Sequence, residues 1–566
     1  MTSVTLSMTL SMTLALSTLL SCAGDAPQPA DDTATVTVTT SSSGLTALEA
    51  PRLLRRMSLD LRGVLPSAEE LEAVASDPAQ LDALRDDFLS DPRLEDRLVA
   101  LLGEWFLTRL DQFQVVYYDY GFEESESCEF NRSVGQEPLR LAAHLAVTDA
   151  PWSELVTADY TMANETLLSV WPLDTDEDPA SSTTGWVESR YTDNRPPVGL
   201  LASNGLWWRY VTSVSNANRS RAAVISELLL CTDLIGRPIS FSTSPSLADA
   251  DGVANALKEN EACVGCHSVV DPLAAALFGF YPAIDYNPEE LGYYHPEREL
   301  IYQEVLDVEM AFFGQPVSSL AELGVVIAAD SRYSRCAAQN FASVLWRREV
   351  ALADFNTITA LDDAFIDGDL SVRPLLAAIT DTDTYRAGEI DDVDSDAYEA
   401  TDARENTARM LAPDLLASAI EDLTGFAWTY DSCEQMDNDE EGYRVLAGGV
   451  DGNKVTAPQQ TPGLTWALVT ERIAQAAADH VVEADLILGG TQLLDRVDLS
   501  SLPGDDAFTE QLDAIHWRMH AHRLSDEDRA DQEALWEAVL AISSDPATAW
   551  SALLTAQLRD PEFVSY

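Results

Sequence analysis

Residues 260–280 read NEACVGCHSVVDPLAAALFGF, and Cys263, Cys266 and His267 within them constrain this chain more than any other stretch. Covalent haem attachment needs two thiols on one turn, so that both vinyl groups are reached. It also needs a histidine directly after them, so that the imidazole swings under the iron. Two other chemistries use paired cysteines. A structural zinc site wants four ligands, and no second Cys-x-x-Cys completes one here. A thioredoxin-like dithiol sits in a βαβ context, and no such pattern surrounds residue 263. The spacing therefore points to one haem c per chain, with Cys263 and Cys266 holding the macrocycle and His267 as proximal iron ligand.

Attachment of c-type haem takes place outside the cytoplasm, so an export signal is the next feature required. Residues 4–20 are mildly apolar and uncharged, and they end in LLSC at Cys22. A short apolar stretch closed by small residues reads as a signal peptide rather than a membrane span. LLSC resembles the lipobox of bacterial lipoproteins, which makes Cys22 the expected lipidated residue. No Lys or Arg precedes the apolar stretch, and the repeated LSMT leaves Met8 and Met12 as alternative starts. Ala23 follows the cysteine where an inner-membrane-retaining Asp would stand, which points to the outer membrane. The Thr/Ser/Asp-rich residues 23–45 read as a flexible tether. The expected membrane attachment is through the lipid alone.

The chain carries 95 acidic and 34 basic residues, a net charge of −61, and its only lysines are Lys258 and Lys454. Such a surface repels phosphate backbones and excludes nucleic acid as a partner. Helical signals dominate. Ser67 with Glu70 forms a capping box, and Asp91-Pro92 starts another helix. Leu94, Leu98, Leu101, Leu102 and Trp105 recur on one helical face. The patterning predicts a mainly α, multi-lobed protein with a c-type haem unit and few short strands. The expected divisions are a signal peptide (1–22), the tether (23–45), an N-terminal helical domain with an irregular insertion (46–198), the haem domain (199–387), an acidic linker (388–405) and a C-terminal helical domain (406–566). The insertion contains an acidic loop, Glu123–Glu129, followed by a helix around LRLAAHLAV.

Four cysteines remain: Cys128, Cys231, Cys336 and Cys433. Outside the cytoplasm they are expected to pair, and three connectivities are open. Cys231–Cys336 is favoured because both belong to the haem unit, leaving Cys128 with Cys433 or free. For the distal side of the haem, Met310 lies about forty residues past His267, the order seen in small Met/His cytochromes. It reads equally as a core residue beside Phe312 and Phe313. His295, in LGYYHPEREL, is the other nearby candidate. Met162, Met519 and His520 would have to arrive from other lobes.

The haem stretch resembles that of the planctomycete-type cytochrome c domain families, long bacterial proteins of unknown function in which an Asp-Pro follows the haem histidine. Here that pair is Asp271-Pro272. The usual glycine beyond it is replaced by Leu273 and Ala274, and the usual downstream Glu by Leu277. The resemblance extends to LLRRMSLDLRGVLPSAEEL (53–71), RPPVGLLASNGLWW, RSRAAVISELLLC, SRCAAQNFASVLWRRE, LLAAITDTDTYRAG, RMLAPDLLASAIEDLTG and DPEFVSY. It implies a periplasm-facing haem protein and no particular substrate.

Two further groups are weighed. His516, His520 and His522 lie close together, and His516 and His520 share a helix face as a metal pair would. No Glu between them completes a metalloprotease motif, and a structural role is favoured. DNDEEG (437–442) imitates half a calcium loop, but Gly448 stands where a bidentate Glu belongs. No phosphate-cradling glycine loop or nucleophile elbow is present. The expected function is one-electron transfer in the bacterial envelope with an unidentified redox partner. The alternatives are an envelope enzyme whose haem lobe serves a second site, and a haem-bearing binding or scaffold protein.

Overall fold

The amphipathic stretch LLRRMSLDLR forms the helix Ala50–Arg62, which ends at Gly63 in the left-handed conformation (φ 74°). Its apolar positions do not share one partner. Leu53, Leu54, Met57 and Leu61 enter a large core built from residues between Leu53 and Tyr385, joined by Trp517 and Ala521. Leu59, with Leu65, enters a second core built from residues between Met410 and Val564. The helix is thus a wall common to both. The computed structural model describes residues 45–236, 250–282, 288–390, 409–430 and 433–566. The signal peptide, Cys22, nearly all of the tether and most of the acidic linker lie outside the described residues.

The described chain is mainly helical, and its strands are short. Ser67 and Glu70 make the reciprocal capping box that the sequence predicts. Asp91 accepts from Arg93 N at 2.9 Å, and the helix Arg93–Phe106 begins one residue later than the Asp-Pro signal suggests. Thr161–Ala163 and Leu173–Asp174 flank Val187–Tyr191 in an antiparallel three-stranded sheet. Leu45–Ala47 pairs with Ala387–Ile390. Among the described residues no helix is long and apolar enough to cross a membrane.

The helix around LRLAAHLAV is longer than its sequence signal. It spans Ser127–Val147, takes in the end of the acidic loop, and carries Pro138 in its interior. Proline cannot donate to the Val134 carbonyl four residues back. Gly205 packs against that carbonyl so closely that any Cβ there would collide with it. The Gly205 N–H donates to Glu137 Oε2 at 2.7 Å. Tyr191 OH and Thr161 Oγ1 donate to the other oxygen at 2.7 and 3.0 Å.

Buried polar groups knit the two cores together. Arg56 donates to the carbonyls of Tyr385 and Ala387 (2.6 and 2.8 Å), and Arg55 to those of Phe563 and Ser565 (2.8 and 3.0 Å). Asp60, with no exposed surface, accepts from Tyr385 OH at 2.9 Å and from Tyr566 OH at 2.5 Å. The last residues pair with 409–411 through Arg409 N to Tyr566 O, Tyr566 N to Arg409 O and Leu411 N to Val564 O. Burial, then the like charge of Arg409, pushes the Arg56 guanidinium down to about 9.

Candidate functional site

The haem-motif helix, Glu261–Ala275, is started by Asn260, whose side chain accepts from Ala262 N at 3.1 Å. Capping there places Cys263, Cys266 and His267 in the first two turns. At spacings of three and four they share one face. Both cysteines are half-buried and take part in no disulfide. Cys266 packs against the large core and directs its sulfur to the Leu234 carbonyl at 3.6 Å. Among the described residues the two cysteines join no group of three or more metal-ligating side chains, as a zinc site would require.

His267 is held from behind. Its Nδ1 lies 2.9 Å from Asp271 Oδ1, one turn along the same helix. Asp271 is buried and accepts twice from Arg219, from Nε at 2.7 Å and from Nη2 at 3.2 Å. Burial works to raise the Asp271 carboxyl, but the His267 and Arg219 hydrogen bonds outweigh it and hold the group below the usual carboxylate range. Asn218, next to Arg219, donates to the Leu277 carbonyl at 2.9 Å, and Arg221 to Phe280 O at 3.0 Å. The start of the helix Arg219–Leu230 therefore clamps the end of the haem-motif helix. With Nδ1 facing a carboxylate, Nε2 is the nitrogen available to a metal. Two thiols outside the disulfides and an oriented imidazole on one face fit a haem c.

The structure distributes the other candidates widely. Met310 is buried in the large core and precedes the strand Ala311–Phe312, which packs against the haem-motif helix. Both ring nitrogens of His295 are engaged in its own loop, with Glu297 Oε1 at 3.1 Å and the Glu290 carbonyl at 3.3 Å. Met162 lies in the large core and Met519 in the second. His516, His520 and His522 come together beside Glu562. Cys231 bonds to Cys336 and Cys128 to Cys433, with Cα–Cα distances of 5.3 and 5.7 Å. In the DNDEEG loop, Asp437 pairs with Arg109, and Asp439 Oδ1 accepts from Val445 N at 2.6 Å. Asn438 Oδ1 accepts from Glu441 N at 2.7 Å. Those oxygens serve arginine and backbone amides in a closed turn rather than a cation.

One feature has no local sequence signal. A polar cleft of about 750 Å³ is lined by Arg109, Glu129, Arg132, Arg140, Asp414 and Glu434, among others. Burial pushes the Glu434 carboxyl up to about 7. Its walls come from positions hundreds of residues apart, so no motif could announce it.

Residues 48–172 match PSD4, a family of proteins of unknown function (DUF1592). The match covers the opening helices and ends before the haem motif. It is consistent with the planctomycete-type families that the sequence resembles. Neither a curated protein nor a solved structure matches the chain.

Proposed function

We propose that the protein is a c-type haem lipoprotein of the bacterial envelope that carries electrons one at a time. The observation that carries this reading is the shared face of Cys263, Cys266 and His267, with His267 Nδ1 fixed by Asp271 at 2.9 Å. Haem bound there supplies an iron that cycles between ferric and ferrous states. Cys263 and Cys266 anchor it, His267 presents Nε2, and Asp271 with Arg219 orients the ring. Cys22 supplies the lipid anchor. Met310, just before the strand Ala311–Phe312 that lies against the haem-motif helix, is the candidate distal ligand.

The test is a pyridine haemochrome spectrum with intact mass on protein matured in a cytochrome c-competent host. One haem that survives acid–acetone extraction is expected. Extractable haem, or equal retention after Cys263→Ser with Cys266→Ser, overturns the reading.

The polar cleft favours a second reading, an envelope enzyme whose haem serves a separate reaction centre. Glu434, whose carboxyl burial pushes up to about 7, stands in this cleft with Arg109 and Arg132 acting on it, an arrangement that suits acid–base chemistry. Loss of a haem-linked turnover in Glu434→Gln, with the haem spectrum unchanged, would support it. Unchanged turnover would exclude Glu434.

A further inference from the structure

The helix Asp506–His520 ends on His520, and Ala521 takes the left-handed conformation (φ 58°), with its N–H returning to Trp517 O at 3.0 Å. That reversal folds His522 back against the helix end. The ring centroids of His516 and His522 lie 4.6 Å apart, and those of His516 and His520 4.5 Å. Glu562 reaches the same place from the chain's last segment. Its N–H donates to Asp560 Oδ1 at 2.8 Å, and the pairing of 564–566 with 409–411 fixes the backbone just beyond.

The donor atoms converge. Glu562 Oε2 lies 2.9 Å from His522 Nε2 and 4.0 Å from His520 Nδ1, and one ligand atom from each of the three residues falls within 4.8 Å of the others. A tetrahedral ion with bonds of about 2.0–2.2 Å sets its ligands roughly 3.3–3.6 Å apart, so small side-chain rotations close the set. His520 is only 6% exposed, and its Nδ1 has no hydrogen-bond partner. A buried imidazole nitrogen without a partner is costly unless something occupies it. His516 Nε2 lies 3.3 Å from His522 Nδ1, behind the nitrogen that faces Glu562. That is the arrangement by which an outer residue fixes the tautomer of a metal-bound histidine. Arg52 and Arg55 act on His520 from one side, whereas Asp513 and Asp528 act on His516 and Asp560 lies near His522. With Glu562, carboxylates outnumber arginines around the site.

We infer that His520 Nδ1, His522 Nε2 and Glu562 Oε2 form a binding site for a divalent transition metal, with zinc as the ion best suited to two imidazoles and a carboxylate. His516 is a positioning residue. Glu562 and His522 are accessible to solvent, which leaves a coordination position open to water or a small ligand. The site is separate from the haem motif and does not depend on it.

The experiment uses the full mature chain without an affinity tag, dialysed against Zn²⁺, with zinc and iron counted separately by elemental mass spectrometry. One zinc per chain is expected. His520→Ala, His522→Ala and Glu562→Gln should each weaken binding by at least about tenfold, and His516→Ala by roughly ten- to a hundredfold. His295→Ala should leave binding unchanged. Zinc-edge X-ray absorption of the wild type, which needs no variant, should show two imidazoles and oxygen. Absence of saturable zinc, undiminished binding in the three ligand variants, or a shell with sulfur or fewer than two imidazoles overturns the site.

Discussion

Asp271 Oδ1 stands 2.9 Å from His267 Nδ1, and the same carboxylate takes two hydrogen bonds from Arg219. A carboxylate behind a ligating imidazole makes it a stronger donor and favours the higher iron oxidation state. If haem is bound as proposed, Asp271→Asn should therefore raise its midpoint potential. A tenfold change in relative ferric stabilisation corresponds to about 59 mV for a one-electron couple, and a shift of tens of millivolts is expected. Redox titration of wild type and variant measures it. An unchanged potential would show that Asp271 does not act on His267.

Asp60 lies among Arg97, Arg409 and the hydroxyls of Tyr385 and Tyr566, with no exposed surface. Removing one charge from such a network leaves the arginines buried without compensation. Asp60→Ala should cost about 3–5 kcal/mol in urea denaturation. A loss below 1 kcal/mol would mean that water or neighbouring carboxylates replace it.

Glu137 gives stability a dependence on pH. Burial pushes its carboxyl up to about 7, against the hydrogen bonds from Gly205, Tyr191 and Thr161. Between about pH 4.5 and 7 the folded chain holds a proton that the unfolded chain has released. The unfolded state binds fewer protons, so the unfolding free energy falls as pH rises through that window. The contribution is complete below about 4.5 and lost above about 7. Melting temperatures measured from pH 4 to 8 should show this slope, and Glu137→Gln should flatten it. Equal slopes in the two proteins would count against the assignment.

Cys231 and Cys336 are 105 residues apart in sequence and tie the end of the helix Arg219–Leu230 to the helix Ser331–Trp346. Replacing both with alanine should cost roughly 2–5 kcal/mol. Because the first of these helices carries Arg219, the spectrum of the proposed haem should also broaden. Non-reducing peptide maps should recover 231 with 336 and 128 with 433. Free thiols at Cys231 and Cys336 would contradict the pairing.

The helices were legible where a single stretch carried the whole signal: the Ser67–Glu70 box, the Leu94–Trp105 face, the close of SRCAAQNFASVLW. The start of Ser127–Val147 was not, because acidic residues and Pro138 mimic a loop. Gly205, far along the chain, packs against the Val134 carbonyl to which Pro138 cannot donate. That Cys263, Cys266 and His267 share one helix face could be read from their spacing alone, since consecutive turns hold all three. Arg219 could not be read as a partner, because 52 residues separate it from Asp271. The histidines at 516, 520 and 522 were visible as a group. Glu562, which changes their chemistry, was hidden by its distance in sequence and by a fold-back at Ala521 that only φ reveals.

Arg55 binds the Phe563 carbonyl across 508 positions, and Tyr566 closes on Asp60 across 506. Arg55 and Asp60, on the first helix, therefore complete their buried hydrogen bonds only when residues 563–566 are in place. Synthesised from its N-terminus, the chain carries that helix with these two groups unmatched until residues 563–566 follow.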